Sequence, residues 1–310
     1  MARCLVVGAN GFIGSHLVDA LVRRDHEVTA FDRFATARPS FTSRTVRLVA
    51  GDFMNRADMA GALEGQEVVF HFLSTTDPAT AENDPTFDVR TNVASTVEML
   101  KLSVDAGVDK VVFASTGGAI YGDQDKLVFS EDDPTLPVSP YAIGKLSIEN
   151  YLRYFRVKWG LDYLVFRISN PYGTRQRPHK KQGVVPIFLR EIAKGEPITV
   201  FGDGEMVRDY IYVEDLVEMI AGTAPAPTRH RLYNLGSGEG RTINQIVDAI
   251  RAVTGRAVEV VHRPTPRTYV DHVILDASRF TDEFGLRATT SLHEGISKLW
   301  TETQEQRHVG

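Results

Sequence analysis

Short apolar runs alternate with amphipathic stretches through the first half of the chain. The runs at 3–7, 27–31, 46–50, 68–73, 110–115 and 162–168 have strand length. The segments 12–24, 56–63, 83–106 and 139–159 repeat their apolar positions at helical spacing. Apolar strands separated by such helices call for βαβ crossovers. The fold class is therefore α/β, a Rossmann-type doubly wound parallel sheet covered on both faces. Ser139-Pro140 opens the last of these helices with a capping hydroxyl and a first-turn proline, and Gly160 stops it. Beyond residue 170, prolines and glycines break the pattern. A helix near 184–194, a strand at 198–201 and helices near 213–222 and 242–254 stay legible. With no repeat and no Gly/Ser linker, this part reads as a smaller C-terminal lobe interleaved with the first.

Composition narrows the classes. A chain of 310 residues with 43% apolar content can bury a large core. Its net charge of −5 offers no bulk attraction to nucleic acid or to an acidic membrane surface, so neither is expected as a partner. The single cysteine, Cys4, lies in the first apolar run and reads as a small buried hydrophobe, with no internal disulfide possible. No apolar run approaches the ~18–20 residues needed to span a bilayer. The strand pattern starts at Arg3, leaving no room for a signal peptide, so a cytoplasmic protein is expected.

Gly8, Gly11 and Gly14 stand where the strand Leu5-Val6-Val7 meets a helix that includes Phe12 and Ile13. Glycines there allow a tight turn and let a pyrophosphate approach the free N–H groups of the helix start. The spacing is Gly-x-x-Gly-x-x-Gly, not the commoner Gly-x-Gly-x-x-Gly. Asp32, at the end of the next strand, supplies the second half of a dinucleotide site. Its carboxylate accepts ribose hydroxyls and repels a 2′-phosphate, which favours NAD over NADP; Arg33 beside it softens that repulsion. Asp52 and Phe53 end the third strand, where an adenine could lie. Leu73, Ser74 and Asn92 occupy the equivalent edge of later elements. Residues 1–169 are accordingly expected to form the NAD-binding domain, with 205–236 returning to it; 170–204 and 237–310 form the substrate lobe.

The catalytic candidates are Tyr141 and Lys145, four apart and so on one helix face. An ammonium there should lower the phenol's pKa toward neutrality and let it exchange a hydroxyl proton. Ser115 and Thr116 end the strand 110–115, facing the crevice where such sheets bind ligands. Either could donate to a sugar oxygen and pass its proton to Tyr141. No metal is called for.

Taken together, Gly-x-x-Gly-x-x-Gly, Ser115-Thr116 ahead of Tyr121-Gly122, Tyr141-x-x-x-Lys145 and the run Arg208–Asp215 resemble the extended short-chain dehydrogenase/reductase family over nearly the whole chain. The nearest branch is the nucleotide-sugar 4-epimerases of the UDP-glucose 4-epimerase type. The resemblance implies that Tyr141 is general base and acid and that Lys145 holds the nicotinamide ribose and tunes it. It makes Thr116 or Ser115 the residue that positions the reacting hydroxyl. It implies a diphosphate contact for Asn170, a uracil-stacking role for Phe201 and phosphate binding for Arg208, with Arg267 a second phosphate arginine at a spacing one residue off. Many epimerases carry the hydroxyl four residues before the Tyr-Gly tyrosine, which here is Gly117. The choice between Thr116 and Ser115 therefore stays open.

Related dehydratases carry Asp-Glu after the catalytic threonine, and related decarboxylases a glutamate. This chain has Gly117-Gly118-Ala119. The expected activity is therefore NAD-dependent 4-epimerisation of UDP-glucose/UDP-galactose or UDP-glucuronate/UDP-galacturonate. Arg177, in a basic loop resembling that of UDP-glucuronate 4-epimerases, is the candidate grip on a sugar carboxylate. The alternatives are a related decarboxylase, dehydratase or reductase acting on a sugar nucleotide, and a non-catalytic NAD-binding protein of the same fold. Helices 83–106 and 139–159 are long enough to pair with their copies, so a homodimer through a four-helix bundle is expected.

Overall fold

The computed structural model describes residues 1–34, 39–176, 183–223, 226–264 and 270–309. In chain order, the elements are β1 (Arg3–Val7), α1 (Phe12–Arg23), β2 (Glu27–Asp32), β3 (Val46–Ala50), α2 (Arg56–Leu63), β4 (Val68–His71), α3 (Pro78–Asn83) and α4 (Pro85–Asp88). A π-helical turn, Val89–Ala94, leads into α5 (Ser95–Asp105), β5 (Lys110–Thr116), α6 (Gly117–Ile120), β6 (Val128–Phe129), α7 (Pro140–Trp159) and β7 (Asp162–Ile168). Next come β8 (Asn170–Tyr172), α8 (Val184–Lys194), β9 (Ile198–Phe201), β10 (Val207–Tyr212), α9 (Val213–Ala221), β11 (Leu232–Leu235) and β12 (Gly240–Thr242). The last elements are α10 (Ile243–Thr254), β13 (Val260–Arg263), β14 (His272–Leu275), α11 (Ser278–Phe284) and α12 (Leu292–Val309).

The chain divides into two compact units. The first holds residues 1–116, 137–167 and 217–233; the second holds 117–136, 168–216 and 234–310. The excursion 117–136 thus goes with the second unit, and of the stretch 205–236 only 217–233 goes with the first.

A seven-stranded sheet in the order β11-β7-β5-β4-β1-β2-β3 dominates the first unit. The pairs β1·β2, β1·β4, β2·β3 and β4·β5 are all parallel. Strand order reverses between β1 and β4, and a ligand crevice opens at the carboxyl ends on either side of such a switch. Leu5, Val7, Phe31, Val69, Val111 and Phe113 pack there with Met99, Ile148, Leu152 and Phe155 from the helices in one apolar core. In the second unit, β10 pairs antiparallel with β12 and parallel with β8 and β14. A separate parallel pair joins β9 and β13.

The helix expected over 83–106 is interrupted. Pro85 starts a new first turn behind the Asp84 cap, and the π turn then inserts Asn92 into the structure. The opening of α7 is as expected: the Ser139 side chain accepts from the Ala142 N–H, Pro140 lies in the first turn, and Gly160 closes the helix at φ +75°.

Candidate active site

The glycine turn allows no substitute at two positions. Gly8 lies at φ +88°, and a Cβ on it would sit 2.8 Å from the Leu73 backbone at the end of β4. A Cβ on Gly14 would lie 2.1 Å from the Gly8 carbonyl oxygen. Gly11 caps α1 without a side-chain bond, so the first-turn N–H groups at Phe12 and Ile13 keep no acceptor within the helix. That is an anion site by geometry and helix dipole. Asp32 is fastened beside it. One carboxylate oxygen accepts the Asn10 N–H at 3.0 Å, the other the Arg33 N–H at 2.8 Å. Asn10 in turn accepts the Ser40 N–H at 2.7 Å, and Asp19 of α1 takes the N–H and hydroxyl groups of Thr42 and Ser43. The segment 40–43 is thereby pinned against the turn. A cradle that any Cβ would fill, next to a carboxylate at the end of β2, fits a dinucleotide.

The remaining cofactor candidates sort differently. Asp52 accepts the Met54 N–H at 2.9 Å and closes a turn. The Phe53 ring is buried and stacked on His71 at 5.1 Å, so this residue can offer a ligand its backbone but not its ring. Ser74 donates to the Thr76 carbonyl. Asn92 accepts from the Thr75 N–H at 2.9 Å and donates to Thr76 Oγ1 and Asp88, binding the loop after β4 to the π turn.

Tyr141 and Lys145 share the inner face of α7. Lys145 is 8% exposed; its Nζ donates to the Ala114 carbonyl at 2.8 Å and lies 4.7 Å above the Phe113 ring. The same nitrogen is 5.6 Å from the centre of the Tyr141 ring. Burial lowers the lysine pKa to about 8, against the opposing pull of Asp88 and Glu149. Tyr141 corrects an expectation. Burial, and then the negative charges of Asp88 and Asp77, push its pKa up to about 12 instead of toward neutrality. The physical reason is that withdrawing a phenol from water disfavours its anion. The ammonium, meanwhile, is turned to a carbonyl.

Ser115 and Thr116 point to opposite faces of β5. The Ser115 hydroxyl donates to Glu149 Oε1 at 2.5 Å. Glu149 is itself in a buried ion pair with Arg167 at 2.9 Å, the two side chains 9% and 6% exposed. Ser115 therefore ties β5 to α7 and β7, while Thr116 stays half-buried at the strand end.

In the second unit, the Asn170 amide donates to the Asp209 carbonyl at 3.1 Å and lies against Gly118. Phe201 ends β9 with 40% of its surface exposed. The Arg208 guanidinium donates to the carbonyls of Val207, Val270 and Asp271. Arg177 and Arg267 lie outside the described residues. No helix among the described residues is long and apolar enough to cross a membrane.

A family model described as the NAD dependent epimerase/dehydratase family matches residues 4–236. The chain belongs to that family. It is an enzyme of the epimerase/dehydratase type, and NAD is that family's cofactor. Among its relatives, UDP-glucose 4-epimerase of Mycolicibacterium smegmatis is 36% identical over 304 residues, covering 96% of each chain. The dTDP-4-dehydro-6-deoxyglucose reductase of Escherichia coli is 32% identical over 309 residues, covering 95% of each. The crystal structure of UDP-glucose 4-epimerase from Thermotoga maritima with UDP-glucose superposes with a TM-score of 0.93 at 34% identity, covering 98% of this chain and 99% of that one. Family membership thus spans several reactions on sugar nucleotides. Within this epimerase/dehydratase site, sequence reasoning missed Asp88, Glu149, His71 and Asn10. Glu149 carried a signal, since it falls four residues beyond Lys145 on the same helix face. Asn10 lies inside the glycine turn and Asp88 falls four residues before Asn92, whereas His71 is brought in by the sheet.

Proposed function

We propose that this chain is an NAD-dependent UDP-sugar 4-epimerase. The observation that carries the reading is the stretch of chain directly after the hydroxyl at the end of β5. Thr116 leads straight into the turn Gly117–Ile120, which holds no titratable side chain. Elimination of water, or loss of carbon dioxide assisted by an acid, needs a carboxyl group beside that hydroxyl; epimerisation does not. Similarity to the M. smegmatis and T. maritima epimerases supports the same choice.

When bound, NAD supplies an acceptor for a hydride from the sugar and a donor for its return. Gly8, Gly11, Gly14 and the first turn of α1 hold its pyrophosphate, and Asp32 its ribose. Tyr141 removes the proton of the 4-hydroxyl and gives it back, and Thr116 orients that oxygen. We assign Thr116 this task because the Ser115 hydroxyl is committed to Glu149. With a pKa of about 12, Tyr141 holds its proton at neutral pH and can act as a base only once a cation favours its anion. We assign that part to Lys145, charged below about pH 8, once its ammonium turns from the Ala114 carbonyl to the phenol. Asn170, Phe201 and Arg208 are the residues we assign to the UDP moiety. The exposed Ile143, Tyr151, Tyr154 and Val157 form a stripe along α7 on which two copies would pair; light scattering at twice 34.4 kDa checks this.

The test is incubation of the purified protein with UDP-glucose and, separately, UDP-glucuronate, monitored by proton NMR. Appearance of the C4 epimer supports the proposal. Conversion of neither, with NAD supplied, refutes it. The faster substrate identifies the sugar, and Arg177→Ala should slow only the acidic one.

A further inference from the structure

Helix α7 carries a glycine, Gly144, in the turn that joins Tyr141 to Lys145. A Cβ there would come within 2.8 Å of Asp88 Oδ2. Asp88 is 2% exposed. Its other oxygen, Oδ1, accepts from the Asn92 amide at 2.9 Å and from the Thr76 hydroxyl. Asn92 also donates to Thr76 Oγ1 at 2.8 Å, so loop, π turn and carboxylate form one closed network. The carboxylate is thus clamped from two sides and pressed onto the inner face of α7. A buried carboxylate costs free energy without a compensating charge, and Lys145, whose ammonium is bonded to the Ala114 carbonyl, feels it through space.

We propose that Asp88 is a positioning residue for the Tyr141–Lys145 couple: a buried carboxylate, admitted by Gly144 and clamped by Thr76 and Asn92, that is seated against the helical turn carrying both. The role assigned to the couple rests on the epimerase reading above. The other charged or titratable groups around it are few. From α7 come Lys145 itself and Glu149, which is paired with Arg167 of β7. From β4 comes His71, kept neutral by burial, and from the cap of α3 comes the half-buried Asp77. Asp88 raises the proton affinity of both members of the couple. It therefore sets the pH window of the reaction, not the rate alone.

Asp88→Asn keeps the shape and the oxygen that Thr76 and Asn92 use, and removes the charge. The expected result is that both limbs of the kcat/KM–pH profile move toward acid by about one pH unit. Asp88→Glu should return them toward the wild-type position. A second readout needs no turnover. The tyrosinate absorbance of Asp88→Asn, less that of the same protein carrying Tyr141→Phe, should show Tyr141 ionising at lower pH than in the wild type. If Asp88→Asn does not fold, Asp88→Ser removes the same charge and should give the same shifts. A loss of kcat with both limbs and the Tyr141 titration unmoved would overturn the proposal and leave Asp88 a purely structural clamp. If no UDP-sugar turns over, the epimerase reading fails, and the Tyr141 titration still decides the role of Asp88.

Discussion

Replacing His71 with glutamine should remove much of the acid sensitivity of the first unit. The His71 ring is 2% exposed, stacked at 5.1 Å on Phe53 and 5.5 Å from Phe113. Its Nε2 bonds to the Thr96 hydroxyl at 2.8 Å, and its Nδ1 is buried with no partner. Burial, and then the charge on Lys145, lowers its pKa from 6.5 to about 3. Between those two values the unfolded chain binds a proton that the native chain does not. Stability therefore falls as the pH drops from about 6.5 toward about 3. At about 1.4 kcal/mol per pH unit, the loss is about 2 kcal/mol at pH 5. Glutamine places an amide near Thr96 and does not titrate, so its own cost is independent of pH. The assay is urea unfolding at pH 7 and pH 5, read by Trp159 fluorescence in a Trp300→Phe background. Trp159 lies in the same unit as His71, and these are the chain's two tryptophans. The stability gap between wild type and variant should narrow by about 2 kcal/mol at the lower pH. Parallel losses in the two proteins would show that native His71 takes up its proton normally, and the argument from burial would fail.

Four further outcomes are expected. Gly14→Ala drives a Cβ into the Gly8 carbonyl, at an overpacking cost of about 1–3 kcal/mol. Calorimetric titration with NAD should show affinity reduced by about tenfold or more. Ser115→Ala should lower the unfolding free energy by about 1.5–3 kcal/mol, the worth of a hydrogen bond to a charged group, with kcat little changed. Thr116→Val should do the reverse, cutting kcat by about a hundredfold while the urea midpoint stays put; if Ser115→Ala shows the larger kcat loss, the hydroxyl assignment is wrong. Asp32→Ala removes both the carboxylate and the anchor on Asn10. It should weaken NAD and narrow its advantage over NADP in a binding competition; an unchanged NAD/NADP ratio would refute the role of the charge.

How much of the fold and site was legible in the sequence depended on distance along the chain. The glycine turn, the Ser139-Pro140 helix start and the Tyr141–Lys145 spacing are each written within a few residues, and each reappears in the structure. Asp32 was legible because βαβ geometry places the end of the second strand beside the first turn. The short strands β6, β8 and β10–β14 were not, because strands of two to six residues set among prolines and glycines carry too little periodicity. The π turn escaped because the bonds of Asn92 within it reach Thr75 and Thr76, seventeen and sixteen residues upstream. What only the tertiary structure decided is the state of the functional groups. Ser115 and Thr116 are equivalent as neighbours in a sequence, yet the pleat sends one to Glu149 and leaves the other at the strand end. Tyr141 and Lys145 suggest a lowered phenol pKa when read alone. Burial and the carboxylates of Asp77 and Asp88, more than fifty residues upstream, reverse its direction. Local geometry follows from neighbours in the chain, whereas the proton affinity of a group sums over everything the fold packs around it.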